Sequence, residues 1–138
     1  MDKKKDISDK LRSTGLRPTK QRVRLAEYLF NRSKTFHFSV ENLDKVINKK
    51  GSEEKIALAT IYNTVNAFKK AGHLKEILLK EGRSYFDTNT TAHHHFYDSD
   101  TNELIDIRFN EIEVTKLPHP PKGKQIKDLE VVIGLKKI

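Results

Sequence analysis

His93, His94 and His95 are consecutive and lie in a short run of strand-forming residues. In an extended segment alternate side chains share a face. His93 and His95 therefore project together, with Cα atoms roughly 6.5–7 Å apart, a separation suited to chelating one ion. His94 points the other way, towards a different site or partner. Asp87 precedes the run by six residues and Asp106 follows it by eleven. Two imidazoles with two carboxylates suit a borderline divalent ion such as zinc, iron or manganese. A solvated histidine cluster and a fortuitous tag-like run are the alternatives, and the flanking acids favour the metal site.

The elements that must position these groups fall into two parts. Residues 1–91 carry 20 Lys and Arg against 11 Asp and Glu, whereas residues 92–138 carry 7 against 8. A basic first part and a near-neutral second part imply a polyanion-binding module followed by a different one, with general solubility charge as the alternative. The chain is 138 residues long, enough for one ordinary domain or two small ones. It has no cysteine, which excludes disulfides, thiolate metal sites and cysteine nucleophiles and agrees with a cytoplasmic protein. No apolar run is long enough to span a membrane, and no apolar segment follows Lys3, Lys4 and Lys5 to make a secretory signal.

Met1 to Lys5 is expected to be a frayed basic tail. Ile7, Leu11 and Thr14 are spaced for a first helix ended by Gly15. Thr19, after Pro18, caps a second helix, with Val23, Ala26, Leu29 and Phe30 at helical spacing to about Asn31. Ser39 caps a third, carrying Val40, Leu43, Val46 and Ile47 to about Lys50, and Gly51 to Lys55 is a charged turn. In the fourth, Leu58, Ile61, Val65 and Phe68 form the apolar stripe and Gly72 the stop. Its opposite face shows Tyr62, Asn63, Asn66, Lys69 and Lys70, side chains able to bond base edges and phosphates. Residues 74–80 and 83–87 are strand-like and joined by Glu81-Gly82 as a tight hairpin. That order predicts an α+β chain whose residues 1–88 form a winged helix-turn-helix DNA-binding domain; a plain helical bundle with a hairpin is the alternative. Residues 89–138 form a small α/β domain, with strands over 93–97, 104–108 and 127–135, a helix over 110–117, and a loop at Pro118, Pro120, Pro121 and Gly123. Its open strand edges imply pairing with a second copy, hence a homodimer on a roughly palindromic site. His73, beside Gly72, is expected to be structural, and His119, among prolines, an exposed loop residue.

The segments LRSTGLRPTKQR (11–22), FHFSVENL (36–43), ALATIYNTVNAFKKAGHL (57–74), GRSYFD (82–87), AHHHFY (92–97) and ELIDI (103–107) occur in the order seen in the ferric uptake regulator family. The chain resembles these bacterial metal-responsive repressors over nearly its whole length. The resemblance implies a cytoplasmic, homodimeric, non-enzymatic regulator whose metal site is His37, Asp87, His93, His95 and Asp106. His37 enters through the resemblance alone. It also implies a minor-groove or phosphate contact by Arg17, a contact by Tyr62 to a thymine methyl, and Thr60 on the same DNA-reading segment. Lys20, Arg22, Lys69 and Arg83 become phosphate contacts, each with ordinary surface charge as the alternative. Many relatives carry arginine after that tyrosine, where this chain has Asn63. Arginine reads guanine best and asparagine reads adenine, which predicts an A·T-rich inverted repeat.

Two departures narrow the resemblance. The paired CxxC motifs that hold a structural zinc in most members have no counterpart, so no four-cysteine zinc site can form. The family's second histidine-acid site is matched only in part, by His94 and Glu113 with Asp128 near its last ligand. Together with the unbroken HHH, these features resemble the iron response regulator branch of alphaproteobacteria. That likeness implies haem binding at His93, His94 and His95, an imidazole ligand set suited to haem iron. The additional cysteine-containing haem motif of some members is missing. A sensor of Mn, Fe or Zn alone is the alternative within the family. Outside it stand a metal-storage protein and a metallohydrolase, the latter disfavoured by the absence of an HExxH pair.

Overall fold

The computed structural model describes residues 3–51 and 54–138, with the side chains of Lys3, Lys4 and Glu81 excluded. The chain divides into two units, Met1–Thr90 and Thr91–Ile138.

In the first unit, α1 (Lys3–Ser13) buries Ile7 and Leu11, one helical turn apart, on one face. It takes in Lys3 to Lys5, expected to be frayed; Met1 and Asp2 lie outside the described residues. The helix stops where Gly15 adopts φ +82°, a conformation that costs glycine nothing. The second helix, α2 (Lys20–Phe30), is capped by the Thr19 hydroxyl, which accepts from Arg22 N–H, and it buries Leu25, Ala26 and Leu29. A two-residue strand, β1 (His37–Phe38), follows, which the periodicity gave no sign of. Ser39 then caps α3 (Val40–Ile47) by accepting from Asn42 N–H. Finally α4 (Leu58–Lys70) buries Ile61, Thr64, Val65 and Phe68.

The start of α4 has no side-chain cap of its own. It is held instead through the preceding loop. The Asn48 side chain accepts from Ile56 N–H at 2.8 Å and donates to the Ile56 carbonyl at 2.7 Å, closing residues 48–56 like a short strand pair. Arg24 donates to the carbonyls of Ile47 and Glu54, tying the same loop to α2. Ser52 and Glu53, in the expected charged turn, lie outside the described residues.

Strands β2 (Lys75–Leu78) and β3 (Ser84–Asp87) pair antiparallel, and β1 joins the other side of β3, giving the order β1-β3-β2. The connection between β2 and β3 is not the tight hairpin expected from Glu81-Gly82. A single 3-10 turn over Lys80–Gly82 sits inside a loop closed by the Leu79 N–H to Arg83 carbonyl bond. Three helices, an outward-facing fourth and a small antiparallel wing make this unit a winged helix-turn-helix.

The second unit is a three-stranded sheet of order β5-β4-β6, with β4 (His94–Asp98) in the middle. Strand β5 (Glu103–Ile107) pairs with it antiparallel and β6 (Val132–Leu135) parallel. Two expectations are corrected here. The helix over 110–117 reduces to one 3-10 turn, Phe109–Glu111. Ile112, Val114 and Thr115 are β-branched, Pro118 follows, and the apolar residues Val114 and Leu117 are 40% and 46% exposed, so no buried stripe stabilises a helix. The strand over 127–135 shortens to Val132–Leu135, the part that β4 hydrogen-bonds.

The Asn48 clamp yields a stability expectation. Asn48→Ala strands the Ile56 N–H and carbonyl and should lower unfolding free energy by about 1–3 kcal/mol in urea denaturation. A loss well below that would show that the loop is held by other contacts.

Candidate metal centre and nucleic-acid face

In the second unit the strand register brings the metal-binding groups together. His95 lies directly across from Asp106 in the β4–β5 ladder, and His93, two residues earlier, shares its face. The two imidazole rings sit 4.4 Å apart. Both Nε2 atoms approach the same oxygen, Asp106 Oδ1, His93 at 3.3 Å and His95 at 3.2 Å. One ligand atom from each of the three lies within 4.8 Å of the others.

The opposite ring nitrogens determine what those Nε2 atoms can be. His93 Nδ1 is 2.7 Å from the Thr91 carbonyl, which can only accept, so Nδ1 carries the proton. His95 Nδ1 is 3.0 Å from Glu130 Oε1, and an ionised carboxylate likewise only accepts. A neutral His93 ring therefore presents its Nε2 lone pair to Asp106 Oδ1, whereas a neutral His95 ring, with a carboxylate oxygen at each nitrogen, can donate to only one of them and turns a lone pair to the other. Lone pair against lone pair at this distance is repulsive unless a cation, either a proton on a ring or a metal ion, lies among them. The donor set, two imidazole nitrogens and a carboxylate oxygen with their outer nitrogens already engaged, fits a borderline divalent ion.

His94 has the reverse arrangement. Its Nδ1 accepts from Val131 N–H at 2.9 Å, which places the proton of the neutral ring on Nε2, and its ring stacks on Phe109 at 5.3 Å. It is as buried as its neighbours, and its work is to bind the chain before β6 to β4. Neither a second metal site with Glu113 nor a three-histidine haem ligand set gains support from this geometry. No group joining His94, Glu113 and Asp128 is found among the described residues, and Glu113 is exposed. Thr91 and Glu130 were not foreseen as site residues. Backbone acceptors carry no residue-type signal, and Glu130 is brought to His95 only by the parallel pairing of a distant strand.

In the first unit His37 and Asp87 are cross-strand partners in β1 and β3. His37 Nε2 lies 3.0 Å from Asp87 Oδ2, and Asp87 Oδ1 accepts from Asn89 N–H at 2.8 Å. Asp87 is fully buried. A buried carboxylate needs such partners, and here too an imidazole nitrogen and a carboxylate oxygen meet at a distance that a proton or a cation satisfies.

On the DNA-reading side, α4 exposes Tyr62, Asn63, Asn66 and Lys70, and Thr60 is half-buried at its start. The Tyr62 hydroxyl donates to Glu41 Oε1 at 2.6 Å, and this bond raises the phenol pKa. Arg17 is exposed, and its carbonyl accepts from Arg22. Lys20 and Arg83 are exposed, with Lys20 3.7 Å from Glu54 Oε2. His73 is structural: its Nε2 is 2.7 Å from the Thr14 hydroxyl, and burial together with the Lys10 charge pushes its pKa down. His119 is exposed.

Lys69 differs from the expectation of a ready phosphate contact. Its ammonium donates to Glu76 Oε1 at 2.8 Å, across to β2. That bond holds the Glu76 carboxyl below the usual carboxylate range, aided by the Ser84 hydroxyl and opposed by partial burial. A depressed carboxyl pKa means the pair's contribution to stability is present above the unfolded value and lost only as pH falls through the folded one. The pair therefore persists at neutral pH and competes with phosphate for Lys69. Glu76→Gln should raise DNA affinity a few-fold and steepen the log–log salt dependence by about one unit, read by anisotropy at several salt concentrations. An unchanged slope would remove Lys69 from the phosphate contacts.

The sequence matches the ferric uptake regulator family over residues 13–133. It is 33% identical to the ferric uptake regulation protein of Pseudomonas fluorescens over 107 residues, 77% of this chain and 85% of that one. It is 29% identical to the peroxide operon regulator of Bacillus subtilis over 105 residues, 76% and 70% of the two chains. The fold superposes on the ferric uptake regulator from Pseudomonas aeruginosa with manganese at a TM-score of 0.67 and 27% identity, covering 95% of this chain and 97% of that one. The Vibrio cholerae regulator shares the fold at a TM-score of 0.69 and 22% identity, over 94% and 98% of the chains. Among the described residues no helix is long and apolar enough to cross a membrane. Because the match runs through both the winged helix and the histidine-bearing sheet, the chain belongs to the ferric uptake regulator family, whose members are dimeric, metal-responsive DNA-binding regulators and not enzymes.

Proposed function

We propose that this chain is a homodimeric repressor of iron-homeostasis genes whose DNA binding is set by one divalent ion held by His37 and Asp87 of the first unit with His93, His95 and Asp106 of the second. The observation that carries this reading is the convergence of the His93 and His95 Nε2 atoms on the single oxygen Asp106 Oδ1, a donor set that suits a cation. His37 and Asp87 offer a matching half in the first unit. An ion that takes ligands from both units favours one arrangement of them, and that differential affinity is all a ligand needs to switch the spacing of two recognition helices. The ligand set is oxygen and nitrogen only, which suits manganese, iron or zinc. Residues 1–88 read DNA through α4 and the wing, and residues 89–138 dimerise and sense.

The iron response regulator branch is the finer assignment. It is supported by the unbroken histidine run, the absence of cysteine and the partial match to the second histidine-acid site by His94, Glu113 and Asp128. Haem at His93, His94 and His95 is the second reading, favoured by the run itself. It requires His94 to give up the Val131 N–H and to release its Nε2 proton.

The test is fluorescence anisotropy of the full chain on an A·T-rich inverted-repeat DNA, titrated with Mn²⁺ and separately with haemin. Mn²⁺ should change DNA affinity at least tenfold in the wild type and not in Asp106→Ala or His95→Ala. A response to haemin that survives in Asp106→Ala but is lost when His93, His94 and His95 are all changed to alanine would establish the haem reading instead. Insensitivity to both would refute a sensing role for these residues. Asn63→Arg should shift preference towards G·C pairs at one position per half-site, by about 1–3 kcal/mol per base pair in a substituted-operator series. A variant with the wild-type preference would show that Asn63 does not read a base.

A further inference from the structure

We infer that Glu130 is a positioning residue of the metal centre, orienting the His95 imidazole for coordination; this rests on the metal reading above. His95 is fully buried at the middle strand of the sheet, between Asp106 Oδ1 at 3.2 Å on Nε2 and Glu130 Oε1 at 3.0 Å on Nδ1. Glu130 is itself mostly buried. A buried imidazole with a carboxylate on its outer nitrogen and a ligand position on its inner one has the arrangement by which proteins fix the tautomer and ring angle of a metal-binding histidine and raise its basicity.

Backbone bonds hold Glu130 in place. The Val131 carbonyl accepts from His95 N–H at 3.1 Å, and Val131 N–H donates to His94 Nδ1. The residue after Glu130 is thereby pinned at both its polar groups to the two histidines, which holds the Glu130 backbone beside His95. His93 obtains the same tautomer from a neutral carbonyl, that of Thr91. The two histidines thus differ in one respect: His95 is backed by a full negative charge and His93 by a dipole. A charge-assisted bond is roughly twice as strong as a neutral one, so His95 is the better-held ring of the pair.

The experiment measures Zn²⁺ and Mn²⁺ binding by calorimetry in the full chain as wild type, Glu130→Ala and Glu130→Gln. Each metal-free form is also melted, to separate binding from folding. E130A is expected to lose roughly 10–100-fold in affinity. E130Q keeps an amide oxygen that accepts from Nδ1 but lacks the charge, and should fall between E130A and wild type. In the Zn²⁺-loaded wild type, the His95 Nδ1 proton should give a slowly exchanging downfield NMR resonance that E130Q retains and E130A loses. A purely structural role for Glu130 would lower the melting temperature without moving that resonance. Wild type that binds neither metal would overturn the metal reading itself. Wild type that binds while folded E130A binds equally well would overturn the role of Glu130 alone. Should E130A fail to fold, the affinity of E130Q decides, and equality with wild type counts against the inference.

Discussion

The placement of β4 as the middle strand of its sheet is the constraint on which the second unit depends. Hydrogen-bonded on both edges, β4 cannot slide by one residue without exchanging its two faces. The antiparallel edge supplies Asp106 to the Nε2 side of His95, and the parallel edge supplies Glu130 to the Nδ1 side. One strand register therefore sets which group faces each nitrogen of His95. His94, on the opposite face, is used as mortar: it accepts a backbone N–H and stacks on Phe109, which secures the parallel strand that delivers Glu130.

The same economy governs the first unit. Helix α4 begins without a side-chain cap, so its start is set by Asn48 and Arg24 bonding the backbone of the preceding loop. Two of its outward-facing polar groups are also restrained by acids of the same unit, Tyr62 by Glu41 and Lys69 by Glu76. Such bonds limit the rotamer freedom of both side chains.

A chain without cysteine has to hold a small second unit by packing, ladder hydrogen bonds and association, since no thiolate zinc can staple it. The exposure of Ile105, Phe109, Val132 and Ile133 on and around its sheet agrees with the dimeric habit of the family. The stretch 112–131, largely without regular structure, leaves its apolar residues Val114, Leu117, Ile126 and Leu129 well exposed in the single chain.

Local chemistry was enough for the sequence to determine the helices of the winged unit, their caps at Thr19 and Ser39, the stops at Gly15 and Gly72, and the shared face of His93 and His95. Each of these depends on residues within a few positions of one another, where propensity, capping and period-two alternation act directly. Asp87 and Asp106 stood out as acids flanking the histidine run, and the family pattern in the sequence added His37. Only the tertiary structure decided the rest. The helix over 110–117 did not form because its apolar residues found no surface within the chain to bury against, and propensity alone cannot sustain so short a helix. Lys69 turned to Glu76, and His94 accepts a backbone N–H, because strands distant in sequence arrived beside them. Glu130 joined the site for the same reason: the parallel pairing of a strand far away in the chain put its carboxylate against His95 Nδ1, and nothing local to either residue encodes that contact.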